Sequence, residues 1–515
     1  MSKQTSTARN LTDSKAKNPS NTTQDDIQKN IQERRSQELV IGLCGAVGSG
    51  IKSLKDNLLH GLESSGYDVE HIRVSDIIAD RTDPHIKNLS GVDRYTLLQD
   101  NGDKLREDHK ASILAACAIE EIAVRRALIC EEDDESPGND DDTCLVKTTR
   151  KIAYVIDQLK HPSEVKLLRS VYPRNFYLLG LIRTEKERRL NLEEEKIKAS
   201  DIDELIRRDR KGVDHGQQVE KTIFSADYFI HNVHNQSQLL EKSVDRFIKL
   251  VHGINGISPT LDEIGMHAAF SASLRSACLS RQVGAAITDD KGNVVSTGCN
   301  DVPSFDGGLY TSSSINDFRC VHRGQCSNDK HKALLKEEIR EILTEEIQDP
   351  ALLDKLADKI TSKTKIKSLI EYSRAVHAEM DAIVALSRNQ NQSSVGKTLY
   401  ATTYPCHNCA RHIVAAGIHR VVYIEPYEKS LALKLHDDAL TDSDEKSKVT
   451  LLPFEGVSPR RFEAFFKSNN NRKDNYGKVI KVRVHESYHA DSQFIDNYAE
   501  IEAKVAESVN QAFQG

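Results

Sequence analysis

Two short segments constrain this chain more than anything else in it: His377-Ala378-Glu379 and Pro405-Cys406-His407-Asn408-Cys409, with Cys406 lying 27 positions after Glu379. An imidazole and two thiolates are three ligands of the kind zinc prefers, and three protein ligands leave one tetrahedral position for water. Two thiolates also cancel the formal charge of the ion. Its water is then acidified less than in an all-histidine site, and a nearby carboxylate is needed to take the proton. Glu379, two residues from His377, is the candidate for that role. Proline suits the first turn of a helix, and helix N-termini lower thiol pKa values, so Pro405 is expected to open a helix that presents Cys406 and Cys409 as thiolates. A second reading of the residues stays open. In it Cys406 and Cys409 complete a structural four-ligand site with Cys320 and Cys326, and Glu379 is a solvated helix charge.

The remaining composition narrows the setting. The 515 residues carry 71 basic and 78 acidic side chains, a formal charge of −7, and 38% are hydrophobic. That is room for two or three domains of ordinary globular mixture. No stretch approaches the roughly 18 uninterrupted apolar residues of a membrane span, and the N-terminus lacks the apolar core of a secretory signal, so a cytoplasmic location and no membrane partner are expected. Ten cysteines are too few for a disulfide scaffold. Net negative charge argues against stable nucleic-acid binding, which draws on a basic face.

Along the chain, residues 1–37 are polar and are expected to form a disordered tail. From Glu38 the pattern becomes apolar run, glycine-rich turn, helix, and the later runs HIRVSDII, KIAYVIDQLK, NFYLLGLI and SADYFIHN alternate with helical stretches. This predicts a parallel α/β sheet over 38–255. The acidic run EEDDESPGNDDD within it reads as a solvated loop. A second α/β unit is expected over 260–515, with a hairpin turning on Asp290, Lys291 and Gly292, a helical insertion at 327–372, and a C-terminal extension at 428–515.

The pattern H-x-E followed by P-C-x-x-C is a signature of zinc nucleobase deaminases. At these residues the chain resembles the cytidine and deoxycytidylate deaminase superfamily, from about Glu263 to Tyr427 apart from the insertion. The resemblance implies a cytidine deaminase-like α/β/α domain, a Zn²⁺ held by His377, Cys406 and Cys409, and attack of an activated water on C4 of cytosine. Glu379 would carry protons to N3 and to the departing amine. The stretches Arg281-Gln282-Val283-Gly284-Ala285 and Ser296-Thr297-Gly298-Cys299-Asn300-Asp301-Val302-Pro303 resemble the deoxycytidylate branch, as does the 77-position interval from Asn300 to His377. In that branch an asparagine at the place of Asn300 contacts the sugar; Cys299 and Asp301 depart from the usual loop. On its residue type alone, Asn300 reads as a turn former. Some members of the branch carry a second, structural zinc, for which Cys278, Cys320, His322 and Cys326 are the candidates here; buried inert thiols are the alternative.

Gly45-Ala46-Val47-Gly48-Ser49-Gly50-Ile51-Lys52-Ser53 is nearly a Walker A loop, the context in which backbone N–H groups and a helix dipole cradle phosphates. Gly45, Gly48, Ser49, Gly50, Lys52 and Ser53 are its candidate nucleotide-binding residues. Ile51 stands at the usual lysine position and moves Lys52 one step, about 100°, around the helix, which argues for phosphate binding without phosphoryl transfer. Asp157 is placed as a Mg²⁺ carboxylate, and Arg183, Arg188, Arg189, Arg207 and Arg208 are either lid residues or an exposed salt-bridged surface. The N-terminal unit thus resembles a P-loop nucleotide kinase and would take a nucleoside triphosphate with Mg²⁺. Its fusion to a deoxycytidylate-type deaminase resembles the bacterial anti-phage deoxycytidine nucleotide deaminases. That resemblance implies deamination of dCTP and dCMP, a homo-oligomer, and an inhibitory regulator. Two other functions stay open: a nucleotide kinase with a regulatory zinc module, and a cytosine deaminase of single-stranded nucleic acid.

Overall fold

The computed structural model of the protein describes residues 36–133, 150–210, 216–232, 237–388, 392–426, 430–443, 445–468, 471–487, 494 and 496–513. The expected tail therefore lies outside the described residues up to 35, and most of the acidic run does too. At the start of the described chain Ser36 and Glu38 are already buried.

Five strands, β1 (Leu39–Gly45), β2 (Asp68–Arg73), β3 (Ile152–Asp157), β4 (Phe176–Ile182) and β5 (Tyr228–His231), form a parallel sheet in the order β5-β4-β1-β3-β2. Every residue of the central β1 is buried. Its sequence LVIGLCG is accordingly a continuous apolar run rather than an alternating one, as a strand covered on both faces requires. Helices α1 (Ile51–Glu63) and α2 (Ile113–Asp133) cover the two faces. Leu54, Leu58 and Leu62 of α1 pack with Ile41 and Leu43, whereas Leu114, Ala118 and Ile122 of α2 pack with Val40 and Cys44. The run HIRVSDII divides between two elements. β2 ends at Arg73, opposite the last β3 residue Asp157, and helix begins at Val74 once there is no neighbouring strand left to pair with. The charged region from Thr184 forms two helices, α3 (Glu185–Glu194) and α4 (Ala199–Arg210), and α5 (Ser237–Val251) closes the unit.

The second sheet contains β6 (Gly284–Thr288), β7 (Val294–Cys299), β8 (Thr398–Thr403), β9 (Arg420–Glu425), β10 (Leu440–Thr441) and β11 (Val449–Pro453), in the order β10-β11-β9-β8-β6-β7. β6 runs antiparallel to β7 and β8, and the remaining pairs are parallel. Neighbouring residues point to opposite faces. Ala286, Tyr400 and Val422 therefore meet Met266 and Ala269 of α6 (Leu261–Ser273), while Ala285, Ile287, Leu399 and Val421 pack on the other side. The insertion is a helical pair, α7 (Ser327–Thr344) and α8 (Pro350–Lys363), in which α7 has no buried residue and α8 buries only Leu353 and Ala357. The other face carries α9 (Ala378–Ser387) and α10 (His407–Ala415).

The C-terminal extension, assigned by sequence to the second unit, serves both. β10 and β11 lengthen the second sheet, but β12 (Gly456–Val457) pairs antiparallel with β5 of the first, and α11 (Asp496–Phe513) packs on α2. The apolar content of the segment explains the crossing. Phe454 meets Phe229 edge-on at 5.9 Å and Val457 is fully buried. One carboxylate joins the parts: Glu263, in the first turn of α6, accepts from Arg246 of α5 at 2.7 and 2.8 Å and from the Val457 amide at 2.8 Å. Both sheets are thus α/β layers with a shared apolar core.

Candidate active site

His377 is the N-cap of α9, and the extended residue before it, Val376, is bridged to Asp301 just beyond β7. The approach of α9 to β7 depends on Gly298. A Cβ there would stand 2.3 Å from both the Ala378 carbonyl oxygen and the Ala382 nitrogen, so the helix would have to move. Asp381, one turn along α9, fastens the same contact by accepting from the Cys299 amide at 3.1 Å. Gly298→Ala is expected to cost about 1–3 kcal/mol of overpacking and to lower zinc content together with stability. Metal analysis and a denaturation midpoint check it, and a variant unchanged in both would contradict this role.

Cys406 is the N-cap of α10, and its Sγ accepts from the Cys409 amide at 3.4 Å. The expected helix opening is therefore present, with Cys409 in its first turn. His377 Nδ1 lies 3.4 Å from Cys406 Sγ and 3.3 Å from Cys409 Sγ. Ordinary zinc bond lengths at a tetrahedral angle would set such atoms about 3.5 Å apart, so the donor set fits a zinc ion without rearrangement. Among the described residues this is the one cluster of three or more such ligands, its donor atoms lying within 4.8 Å of one another. Cys320 and Cys326 do not join it; with Cys278 and Asp301 they line a separate small cavity. His322 pairs instead with Asp317 at 3.0 Å.

Electrostatics mark the site as well. A hydrogen bond from Cys409, reinforced by His377, brings the Cys406 thiol down to about 4, and the same bond holds the Cys409 proton in place. Glu379 is only 4% exposed. Burial raises its carboxyl above the usual carboxylate range, and it hydrogen-bonds the Cys409 thiol, which places it directly beside the ligands. The His377 imidazole is raised by its bond to Cys406. A metal ion there would displace the shared protons, since zinc binds thiolate and neutral imidazole.

Asn300 is buried next to the Asp301–Val376 bridge. Its Oδ1 accepts from the Val283 amide at 2.7 Å and its Nδ2 donates to the Arg281 carbonyl at 2.8 Å. The amide thus holds the 281–283 segment against the end of β7, leaving one N–H and one lone pair for any other partner. Gly298 and Asp381 were not singled out from sequence. Their signals were there: a glycine inside a strand marks close backbone approach, and Asp381 lies four positions after His377.

In the first sheet, Gly45 ends β1 and the glycine loop runs into α1 with Gly50 as N-cap. Lys52 and Ser53, expected at the phosphates, lie on the exposed side of α1, while Ile51 is 5% exposed and turned inward against Gly45. Asp157 lies 3.5 Å from His71. Arg188 donates to the Val47 carbonyl at 2.9 Å, whereas Arg189, Arg207 and Arg208 pair with carboxylates of Glu185 and Asp203, Glu204, and Asp100. Among the described residues no helix is long and apolar enough to cross a membrane.

Residues 259–425 match the family pattern described as the cytidine and deoxycytidylate deaminase zinc-binding region. The deoxycytidylate deaminase of Enterobacteria phage T2 is 30% identical over 165 residues, which is 32% of this chain and 80% of that protein. That of phage T4 is 31% identical over 165 residues, covering 32% and 78%. The human deoxycytidylate deaminase is 26% identical over 202 residues, covering 39% and 78%. The zinc-fitting ligand set and the buried glutamate both fall inside the matched span. Through that span, the chain belongs to the cytidine and deoxycytidylate deaminase family.

Proposed function

We propose that the protein hydrolyses free deoxycytidine nucleotides, dCMP and dCTP, to dUMP and dUTP with release of ammonia. The observation that carries this reading is the buried Glu379 carboxyl beside the converged His377, Cys406 and Cys409. Zinc bound there would supply a polarised water whose proton a neighbouring carboxylate must draw off. The chain's own part is proton movement. Glu379, raised by burial, is suited to take a proton from that water, give it to N3 of the cytosine ring, and pass a second to the exocyclic amine. A C4–O bond forms, the C4–N4 bond breaks, and water plus cytosine becomes uracil plus ammonia. Asn300, fixed beside the ligand-bearing segment, is proposed to contact the sugar through its remaining hydrogen-bonding capacity.

Several features favour nucleotides over the alternatives. The relatives named above are deoxycytidylate deaminases. The net charge of −7 offers little to a polynucleotide backbone. Phosphoryl transfer by the first unit is disfavoured because Ile51 faces inward and Lys52 faces solvent. The fused arrangement further supports a role in withdrawing deoxycytidine nucleotides in the cytoplasm during phage DNA synthesis. Cells carrying the wild-type chain should resist phage and cells carrying Glu379→Gln should not. Incubation with dCMP, dCTP, CMP, CTP and a cytosine oligonucleotide, with ammonia as the readout, tests the substrate class. Release from dCMP or dCTP is expected; release only from the oligonucleotide, or from none, would refute the proposal.

A further inference from the structure

On one edge of the second sheet β6 begins at Gly284 while β8 ends at Thr403 and β9 at Glu425. The endmost rung between β6 and β8 pairs Ala285 with Ala401. Beyond it the contact is carried by side chains. The Gly284 amide donates to the Thr402 hydroxyl at 3.1 Å, and Arg281 Nη2 donates both to the Thr403 hydroxyl and to the Glu425 carboxylate, the latter at 2.6 Å. Thr403 and Glu425 are themselves rung partners, and the next amide, that of Tyr404, donates to the Glu425 carbonyl at 2.7 Å. One guanidinium thus grips two strand ends just where β8 runs into the turn that carries Cys406. The main chain of the same residue faces the other side of the site. Its carbonyl accepts from Asn300 Nδ2 at 2.8 Å, while Asn300 Oδ1 accepts from the Val283 amide at 2.7 Å. The start of this loop is tied to the same place, since the Ser276 hydroxyl donates to the Asn300 carbonyl at 2.6 Å.

We propose that Arg281 is a positioning residue for the substrate's sugar: it sets the spacing between Asn300 and the Cys406 turn. The inference rests on the deaminase reading above. With the 5′ oxygen esterified, the deoxyribose of dCMP keeps one free hydroxyl, the 3′. That group is the natural partner for the hydrogen-bonding capacity Asn300 has left. A base seated at the metal's water brings its sugar to Asn300 only when the two sides of the site are held at a fixed separation. The side chains of Arg281 and Glu425 are 46% and 35% exposed, and a pair so open to water adds little to folding stability. What it does supply is geometry, because a planar guanidinium on two acceptors defines a position that a flexible ammonium does not. Cys406 is fixed independently as the N-cap of α10, with His377 Nδ1 at 3.4 Å from its sulfur. Loss of Arg281 therefore loosens the sugar contact and leaves the chemistry at the metal in place.

Steady-state ammonia release from dCMP and from 2′,3′-dideoxycytidine monophosphate, which lacks that hydroxyl, tests the proposal on the full chain, with zinc content and thermal melting measured alongside. Arg281→Ala should raise KM for dCMP about fivefold, the loss of one ordinary hydrogen bond, with kcat near the wild-type value. Its KM for the dideoxy analogue should match that of the wild type, so that removing the arginine and removing the hydroxyl are not additive. Arg281→Lys should lie between Arg281→Ala and the wild type, and zinc content and melting should stay close to wild type in both variants. The proposal is overturned if folded Arg281→Ala keeps the wild-type KM for dCMP, if KM rises equally for the two substrates, or if the variant loses zinc, which would place its effect at Cys406. A wild-type chain that releases no ammonia from dCMP would refute the deaminase reading and this inference with it, whereas an active wild type with an unaffected Arg281→Ala overturns this inference alone.

Discussion

The Glu379→Gln protein is expected to release ammonia from deoxycytidine nucleotides about 10²–10⁴-fold more slowly than the wild type, the usual contribution of a positioned general acid–base group. Zinc content should remain near one ion per chain, because the candidate ligand atoms are those of His377, Cys406 and Cys409, a group that does not include Glu379. Glutamine keeps the size and hydrogen-bonding reach of the side chain and removes only its capacity to hold and release a proton. Steady-state ammonia release beside metal analysis separates the two effects. A variant that retains zinc and turns over at the wild-type rate would show that Glu379 is merely a buried structural carboxyl.

Arg126→Leu is expected to release the C-terminal helix. Arg126 of α2 is buried between Glu38 at the start of the chain's first strand region and Glu502 of α11. It donates to Glu38 at 2.6 and 2.9 Å and to Glu502 at 3.0 Å. Tyr498 adds a bond to Glu38 at 2.7 Å and sets its ring 5.4 Å from the guanidinium. Removing the cation leaves two carboxylates facing each other out of water, and breaking a buried pair in this way costs about 3–5 kcal/mol. Burial already pushes the Glu502 carboxyl above its ordinary range even with Arg126 beside it, so loss of the cation should push it higher still. Hydrogen exchange should show α11 losing protection while β8 and β9 keep theirs. Adding Glu38→Gln and Glu502→Gln should restore much of the loss. Unchanged protection of α11 in the single variant would mean that apolar packing alone holds the helix.

Legibility of these features in the sequence followed how local their physics is. The glycine turn into α1, the hairpin between β6 and β7, and the helix opened after Pro405 all depend on residues a few positions apart, and each appears as expected. The three candidate zinc ligands stood out because their residue types leave little other use for that spacing, and the structure brings them together. Less local features were not. HIRVSDII reads as one apolar run, and only the length of its neighbour β3 ends the strand at Arg73. The crossing of β12 to the first sheet rests on Phe229, Phe454 and Val457 meeting across more than two hundred positions of sequence. The Arg126 cluster likewise joins residues from both ends of the chain. Lys52 shows the reverse case, where one inserted isoleucine turns a familiar motif residue to solvent.

At the centre of this account is an ion gripped by one ring nitrogen and two sulfurs, with a coordination place kept free for the attacking water. Zinc K-edge X-ray absorption on the purified protein reads that shell directly. The expected spectrum fits two sulfur atoms at about 2.3 Å and two lighter nitrogen or oxygen atoms at about 2.0–2.1 Å. A shell of three or four sulfurs would mean that another cysteine closes the site, and would contradict it.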